Sequence, residues 1–125
     1  MRRWLFLSAV LGFLGVMLGA FAAHGLETRL SERMLANFET GARYQMYHAL
    51  AMGLAAFAMR GRAARLANAA GFLFLTGIVL FSGSLYVMAL TGITKLGMIT
   101  PLGGLSMMAG WMALALAALK LEPRA

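Results

Sequence analysis

Four apolar runs, residues 4–23, 42–59, 67–90 and 101–119, fill most of the chain and are separated by short links that hold nearly all its charge. Each is about 18 to 24 residues long, near the roughly 20 that a helix needs to cross about 30 Å of hydrocarbon. In water these runs would need a core to hide in. A chain of 125 residues with 62% hydrophobic residues and a mean hydropathy of +0.80 is too small to supply one, because small soluble domains leave a large part of their surface exposed. Lipid reverses the demand: it requires an apolar exterior and backbone polar groups satisfied within the segment. The expected fold is an all-α membrane protein, four transmembrane helices in one bundle, forming a single domain over residues 1–125.

The net charge of +7 is distributed by span ends. Arg2, Arg3, Arg60, Arg62, Arg65, Lys120 and Arg124 fall on one side of such a bundle. Arg29, Arg33, Arg43 and Lys95 fall on the other, interleaved with Glu27, Glu32 and Glu39. The positive-inside rule then places both termini in the cytoplasm and the protein in the cell (inner) membrane. Anionic lipid head groups are the expected counter-charges, and cations so placed do not point to nucleic acid. The chain has no cysteine, which excludes disulfides, thiolate metal sites and thiol catalysis. Met1-Arg2-Arg3, an apolar stretch and Ala20-Phe21-Ala22 have the outline of a signal peptide. The stretch exceeds the usual 7–15 residues of a signal core, however. Gly12, Gly15 and Gly19 also give it a small-residue ridge suited to packing, so a retained first span is expected.

Residues 25–40 form the one link rich in both signs of charge. On a helical wheel Leu26, Leu30, Met34, Leu35 and Phe38 share one half and Arg29, Glu32, Arg33 and Glu39 the other. This predicts a short amphipathic helix over about 31–40, lying in the head-group layer, capped by Ser31 and bending near Gly41 into the second span. The short 60–65 link predicts antiparallel neighbours. Thr100-Pro101 reads as a helix start, with threonine as cap and proline at the first position. Gly103 and Gly104 then offer a surface that a backbone or ligand can approach.

Polar side chains gather on the mixed-charge side. Gln45 and His48 share a helical face with Gly41 and Met52, while Arg43 and Tyr47 lie on the adjoining face. At about 1.5 Å per residue, His48 sits some 8 Å below Arg43, and Tyr86 and Ser84 roughly 6 and 9 Å below the end of the third run. His24, Arg43, Tyr44, Gln45, Tyr47, His48, Ser82, Ser84, Tyr86 and Thr100 therefore all map to the outer leaflet, whereas the arginine-rich ends show little else that is polar. Such groups are costly in lipid and tend to face a bundle interior or a cavity. They are candidates for a ligand-binding pocket, with interhelical hydrogen bonding and an interfacial tyrosine belt as the rival explanation.

Catalytic chemistry is not expected. No carboxylate lies in any run, so no acid–base dyad or His–Asp orienting pair is available, and a Ser84–His48 nucleophile would stand alone. His24, His48 and Glu27 make a thin ligand set, so neither a metal nor a cofactor is expected. The missing embedded acid also argues against a proton-coupled exporter.

Five motifs in order, Gly19-Ala20-Phe21-Ala22-Ala23-His24-Gly25-Leu26, Tyr44-Gln45-Met46-Tyr47-His48-Ala49-Leu50, Phe81-Ser82-Gly83-Ser84-Leu85-Tyr86, Ile99-Thr100-Pro101-Leu102-Gly103-Gly104 and Gly110-Trp111, span essentially the whole chain. Through them the sequence resembles the DUF423 family, also called uncharacterised protein family 0382. These are small inner-membrane proteins of the YgdD and YwdK type, similar to animal transmembrane protein 256. Ala22 departs from the glycine associated with that position and adds a methyl group at a tight turn. The resemblance implies a four-helix inner-membrane fold and carries over no activity and no catalytic residue. From the residues themselves, the leading expectation is a protein that binds a lipid head group or small polar solute in an outer-leaflet pocket. An accessory subunit of a larger membrane complex and an oligomeric channel are the alternatives. The partners implied are membrane lipids, further copies in a homo-oligomer, or such a complex.

Overall fold

A computed structural model describes residues 1–123; Arg124, counted above with the basic end, lies outside the described residues. The chain forms helices α1 (Arg2–Phe21), α2 (Glu32–Ala58), α3 (Ala64–Gly77), α4 (Gly83–Thr91) and α5 (Thr100–Leu119). A π-helical segment, Ala22–Leu26, extends α1, and a second, Ile78–Ser82, joins α3 to α4 in one continuous rod. Three stretches, Arg2–Leu26, Gly61–Thr91 and Thr94–Leu119, are long and apolar enough to cross a membrane. The fourth expected span is less apolar, because α2 carries Arg43-Tyr44-Gln45-Met46-Tyr47-His48 through its middle.

The link before α2 differs from expectation. Ser31 caps the helix as read, its hydroxyl accepting from the Met34 N–H at 3.2 Å. No separate amphipathic helix follows, because Glu32–Ala58 is a single 27-residue helix without a break at Gly41. The reason is local: Gly41 is buried, and a Cβ there would lie 2.9 Å from the Tyr86 ring. A glycine under that ring lets α2 continue unbroken past α4.

Neighbouring helices run antiparallel, as residue pairs along each interface record. Gln45 meets Leu11 while the Ser8 hydroxyl donates to Ala49 O at 2.7 Å, fixing α1 against α2. Phe38 packs on Tyr86, and Tyr44 on Phe81. Ser84 meets Thr100, and Ser106 donates to Leu73 O at 2.8 Å, which sets α5 against α3–α4. Small residues fill the contacts: Ala51, Ala55, Ala56 and Ala70 are fully buried beside Met52 and Phe74. A Cβ on Gly103 would fall on the Phe81 backbone, and one on Gly110 would lie 2.7 Å from the Phe74 ring. Close backbone approach is the packing device available in lipid, where hydrophobic association between helices is weak. Apart from Trp4, Phe38, Met52 and Phe74, many large apolar side chains point outward, among them Phe6, Phe13, Leu50, Leu54, Phe57 and Leu102.

Candidate functional site

The buried polar side chains form two kinds of arrangement near the mixed-charge end. One is a closed set of bonds between helices. Gln45, 3% exposed, donates from Nε2 to Leu11 O at 2.8 Å and accepts from the Tyr86 hydroxyl at 2.6 Å. That one side chain ties α1, α2 and α4 together. Ser82, fully buried in the second π-helical segment, donates to Gly41 O at 2.6 Å. Ser84 shares a 2.6 Å bond with Thr100 and reaches Phe81 O at 2.9 Å. Thr100 does not cap α5 as read; its hydroxyl turns to Ser84 and to Leu96 O at 3.4 Å. No buried side-chain nitrogen or oxygen among the described residues lacks a partner.

The second arrangement is open. A groove of about 740 Å³ lies between α2 and α5, with Phe81 from the π-helical segment forming part of its wall. Tyr44, Tyr47 and His48 line it from α2; Pro101, Gly104, Leu105, Met107, Met108 and Trp111 line it from α5. His48 Nε2 lies 3.1 Å from Trp111 Nε1, and His48 Nδ1 lies 2.7 Å from Tyr44 O. An indole N–H only donates, so Nε2 must accept and Nδ1 must carry the proton that goes to Tyr44 O. The imidazole is thus neutral, with its tautomer fixed by both neighbours. The Tyr44 ring stacks on the imidazole at 6.1 Å and tilts against Phe81 at 4.9 Å, and Trp111 meets the imidazole edge-on at 5.9 Å. The wall is therefore aromatic and almost wholly apolar.

Of the ten residues singled out in the sequence, Tyr44, Tyr47 and His48 line this groove, while Gln45, Ser82, Ser84, Tyr86 and Thr100 belong to the interhelical bonds. Arg43 is exposed one turn before Tyr47 on α2, and His24 is exposed in the π-helical end of α1, apart from both arrangements. Ser84 and His48 bond to other partners and not to each other. Among the described residues no three His, Asp or Glu side chains gather as metal ligands.

Phe81 and the α5 wall were not among the ten residues singled out, and Trp111, which bonds to His48, is the omission that matters most. Its signal was depth: ten residues past Pro101 it lies about 15 Å into a helix, deeper than the interfacial belt where tryptophan ordinarily sits. The arginine-rich end also holds more polarity than expected. The Trp4 indole donates to Asn68 Oδ1 at 2.8 Å, and Arg3 reaches the same oxygen at 3.3 Å while lying over the Trp4 ring. Asn68 sits early in an apolar run and pairs only through a helix distant in sequence, so no local pattern marked it.

A family model described as "Protein of unknown function (DUF423)" matches residues 18–104, which run from the end of α1 to the start of α5 and include both π-helical segments. The chain belongs to the DUF423 family. It is 44% identical to the UPF0382 membrane protein YwdK of Bacillus subtilis over 121 residues, covering 96% of this chain and 98% of that protein. A UPF0382 membrane protein of Haemophilus influenzae is 42% identical, with 95% of each chain covered. The UPF0382 inner membrane protein YgdD of Escherichia coli is 37% identical, covering 97% of this chain and 92% of that one. No solved structure matches the chain.

Proposed function

We propose that this DUF423 protein crosses the membrane four times, with both termini cytoplasmic, and holds one membrane lipid sideways in the α2–α5 groove. The lipid chain lies along Phe81, Leu105, Met108 and Trp111, and its head group sits beside Tyr44 and Tyr47, one turn from the exposed Arg43. The groove carries this reading: its volume falls within the ~300–1,000 Å³ typical of ligand sites, its wall is aromatic and apolar, and neither the Tyr44 nor the Tyr47 hydroxyl bonds to another described residue. A phosphate or ester group at the rim supplies acceptors for those hydroxyls and for the Arg43 guanidinium.

Crossing by α2 is supported by its packing and its outer face. It runs antiparallel to α1 and to the α3–α4 rod, and toward lipid it presents Leu50, Leu54 and Phe57. Its buried polar groups, Gln45 and His48, bond to Leu11, Tyr86 and Trp111. The charge asymmetry supports the orientation. The role is binding, without a chemical step.

Filling the groove tests the reading. Gly104 lines it, and a Cβ there would lie 3.9 Å from Phe81, an ordinary contact, so Gly104→Leu occupies space without forcing the helices apart. Native mass spectrometry of protein extracted in mild detergent should show a one-to-one lipid adduct on the unaltered protein. Gly104→Leu should lose it at unchanged helicity. Equal lipid occupancy in both would refute the groove as the site.

A further inference from the structure

The helices are tied together by side-chain bonds of two chemical kinds. Most end on an amide, hydroxyl or backbone carbonyl oxygen. Arg3 and Trp4 of α1 reach Asn68 of α3, and Ser8 and Gln45 join α1 to α2. Tyr86 and Ser82 join the α3–α4 rod to α2, while Ser106 and Thr100 join α5 to the rod. None of those acceptors takes up a proton in the range where imidazole does. The exception is the Trp111 indole N–H, which donates to His48 Nε2 at 3.1 Å. It is also the one hydrogen bond between α2 and α5 among the described residues, so a single bond crosses the groove and its acceptor is titratable.

A proton on Nε2 turns that acceptor into a donor. Two N–H groups then face each other, and the indole nitrogen has no lone pair to offer. Nothing packed on the ring compensates the charge. Phe74 of α3, Trp111 of α5 and the Tyr44 phenol of α2 surround it. The one charge on α3 is Arg65, in its first turn, and α4 and α5 carry none; the Tyr86 phenol of α4 is turned to Gln45. On α2 the Tyr47 phenol lines the same groove, Arg43 lies five residues outward, and Glu39, nine residues away, is about 14 Å distant. The α1 cations Arg2 and Arg3 are at the opposite end. Because α2 and α5 are each fastened to the rod, losing the bond between them lets them part at the groove without unfastening either. Trp111, 43% exposed at the groove edge, is then free to turn away. We propose that the His48–Trp111 bond is a proton-operated latch, closed on the neutral imidazole, that shapes the groove around its lipid and releases the lipid on acidification. A lipid chain laid over the ring would strip water from an imidazolium, which is costly, so chain and proton exclude each other, and the exclusion runs both ways. Release presupposes that the groove holds a lipid, as proposed; the latch does not.

The test loads the full chain with phosphatidylglycerol in mild detergent and reads the adduct by native mass spectrometry at about pH 7.5 and about pH 4.5, either side of the ordinary histidine range. Occupancy should fall roughly tenfold at the lower pH. His48→Gln gives the indole an acceptor that does not titrate, so its occupancy should change by less than about twofold. His24→Gln alters the chain's other histidine, which is exposed and apart from the groove, and should respond as the unaltered chain does. Spin labels at Leu54→Cys of α2 and Met112→Cys of α5, both exposed and outside the groove lining, should report a longer distance at the lower pH. That lengthening should vanish in the His48→Gln background, and ring-nitrogen NMR should show His48 gaining its second proton as the distance grows. An unchanged distance, a ring still neutral at the lower pH, or a pH response that survives His48→Gln would overturn the latch. An adduct that Gly104→Leu abolishes but pH leaves unchanged would overturn it too, while keeping the groove as the lipid site. No adduct at either pH, with the distance still responding, would instead refute the groove as a lipid site and support the latch.

Discussion

Replacing Gln45 removes the one side chain that joins three helices, and its cost can be worked from the bonds it makes. Gln45→Met keeps the length of the side chain and loses both polar ends. The Leu11 carbonyl loses its contact at 2.8 Å but belongs to a helix whose own bonds remain. The Tyr86 hydroxyl loses its only side-chain partner among the described residues, at 2.6 Å. Interhelical hydrogen bonds in membrane proteins average about 0.6 kcal/mol and reach about 1.7 kcal/mol. With one bond lost fully and one in part, Gln45→Met should destabilise by about 1 to 2 kcal/mol. Tyr86→Phe should cost about 1 kcal/mol, because it strands the Gln45 oxygen in a buried site. The double variant strands neither group, so it should be more stable than the sum of the singles by about 0.6 to 1.7 kcal/mol. Unfolding in mixed micelles of mild detergent and dodecyl sulfate, followed by far-ultraviolet ellipticity, measures all four corners of the cycle. Strictly additive single effects would refute the claim that this pair holds the helices together.

Other outcomes follow from the same contacts. Gly103→Ala should destabilise by about 3 kcal/mol, since its methyl group would land on the Phe81 backbone, which has nowhere to yield. Gly83→Ala, with nothing within 4 Å and helical dihedrals, should be neutral or stabilise by up to about 1 kcal/mol; the same unfolding assay reads both, and equal effects would contradict the packing. Nitrogen NMR of the histidine ring in micelles should report His48 with its proton on Nδ1 and a bare Nε2. Trp111→Phe should free that Nε2 and shift its signal, and no shift would contradict the indole bond.

Much of the fold was legible because lipid leaves few options. Apolar runs of span length and arginines at alternate ends specify an antiparallel bundle, and the face shared by Gly41, Gln45, His48 and Met52 is the buried face of α2. The amphipathic segment was expected to end near Gly41, and α2 instead runs through it unbroken. A glycine after an amphipathic segment reads locally as a bend, yet here it makes room for Tyr86, a residue 45 positions later. The polar cluster was legible as a location and not as an arrangement. Helical periodicity brings Gln45 and His48 to one face, but whether each meets a helix or a groove depends on α1 and α5. Leu11 O, a backbone atom, and Trp111, masked in an apolar run, are the partners that decide it. The glycine ridge of α1 divides likewise: a Cβ on Gly15 would meet Gln45 and Met46, while one on Gly12 or Gly19 would meet no other part of the protein within 4 Å.

The account depends most on α2 traversing the bilayer, because only then do the groove and its tyrosine rim lie in the outer leaflet. The absence of native cysteine makes this directly measurable. Single variants Arg33→Cys, at the start of α2, and Arg62→Cys, just past its end, both put a thiol at an exposed position. In intact cells a membrane-impermeant maleimide should label the first and leave the second unlabelled until the cells are broken. Labelling of Arg62→Cys alone would invert the orientation, and labelling of both from outside, or of neither, would mean that α2 does not cross.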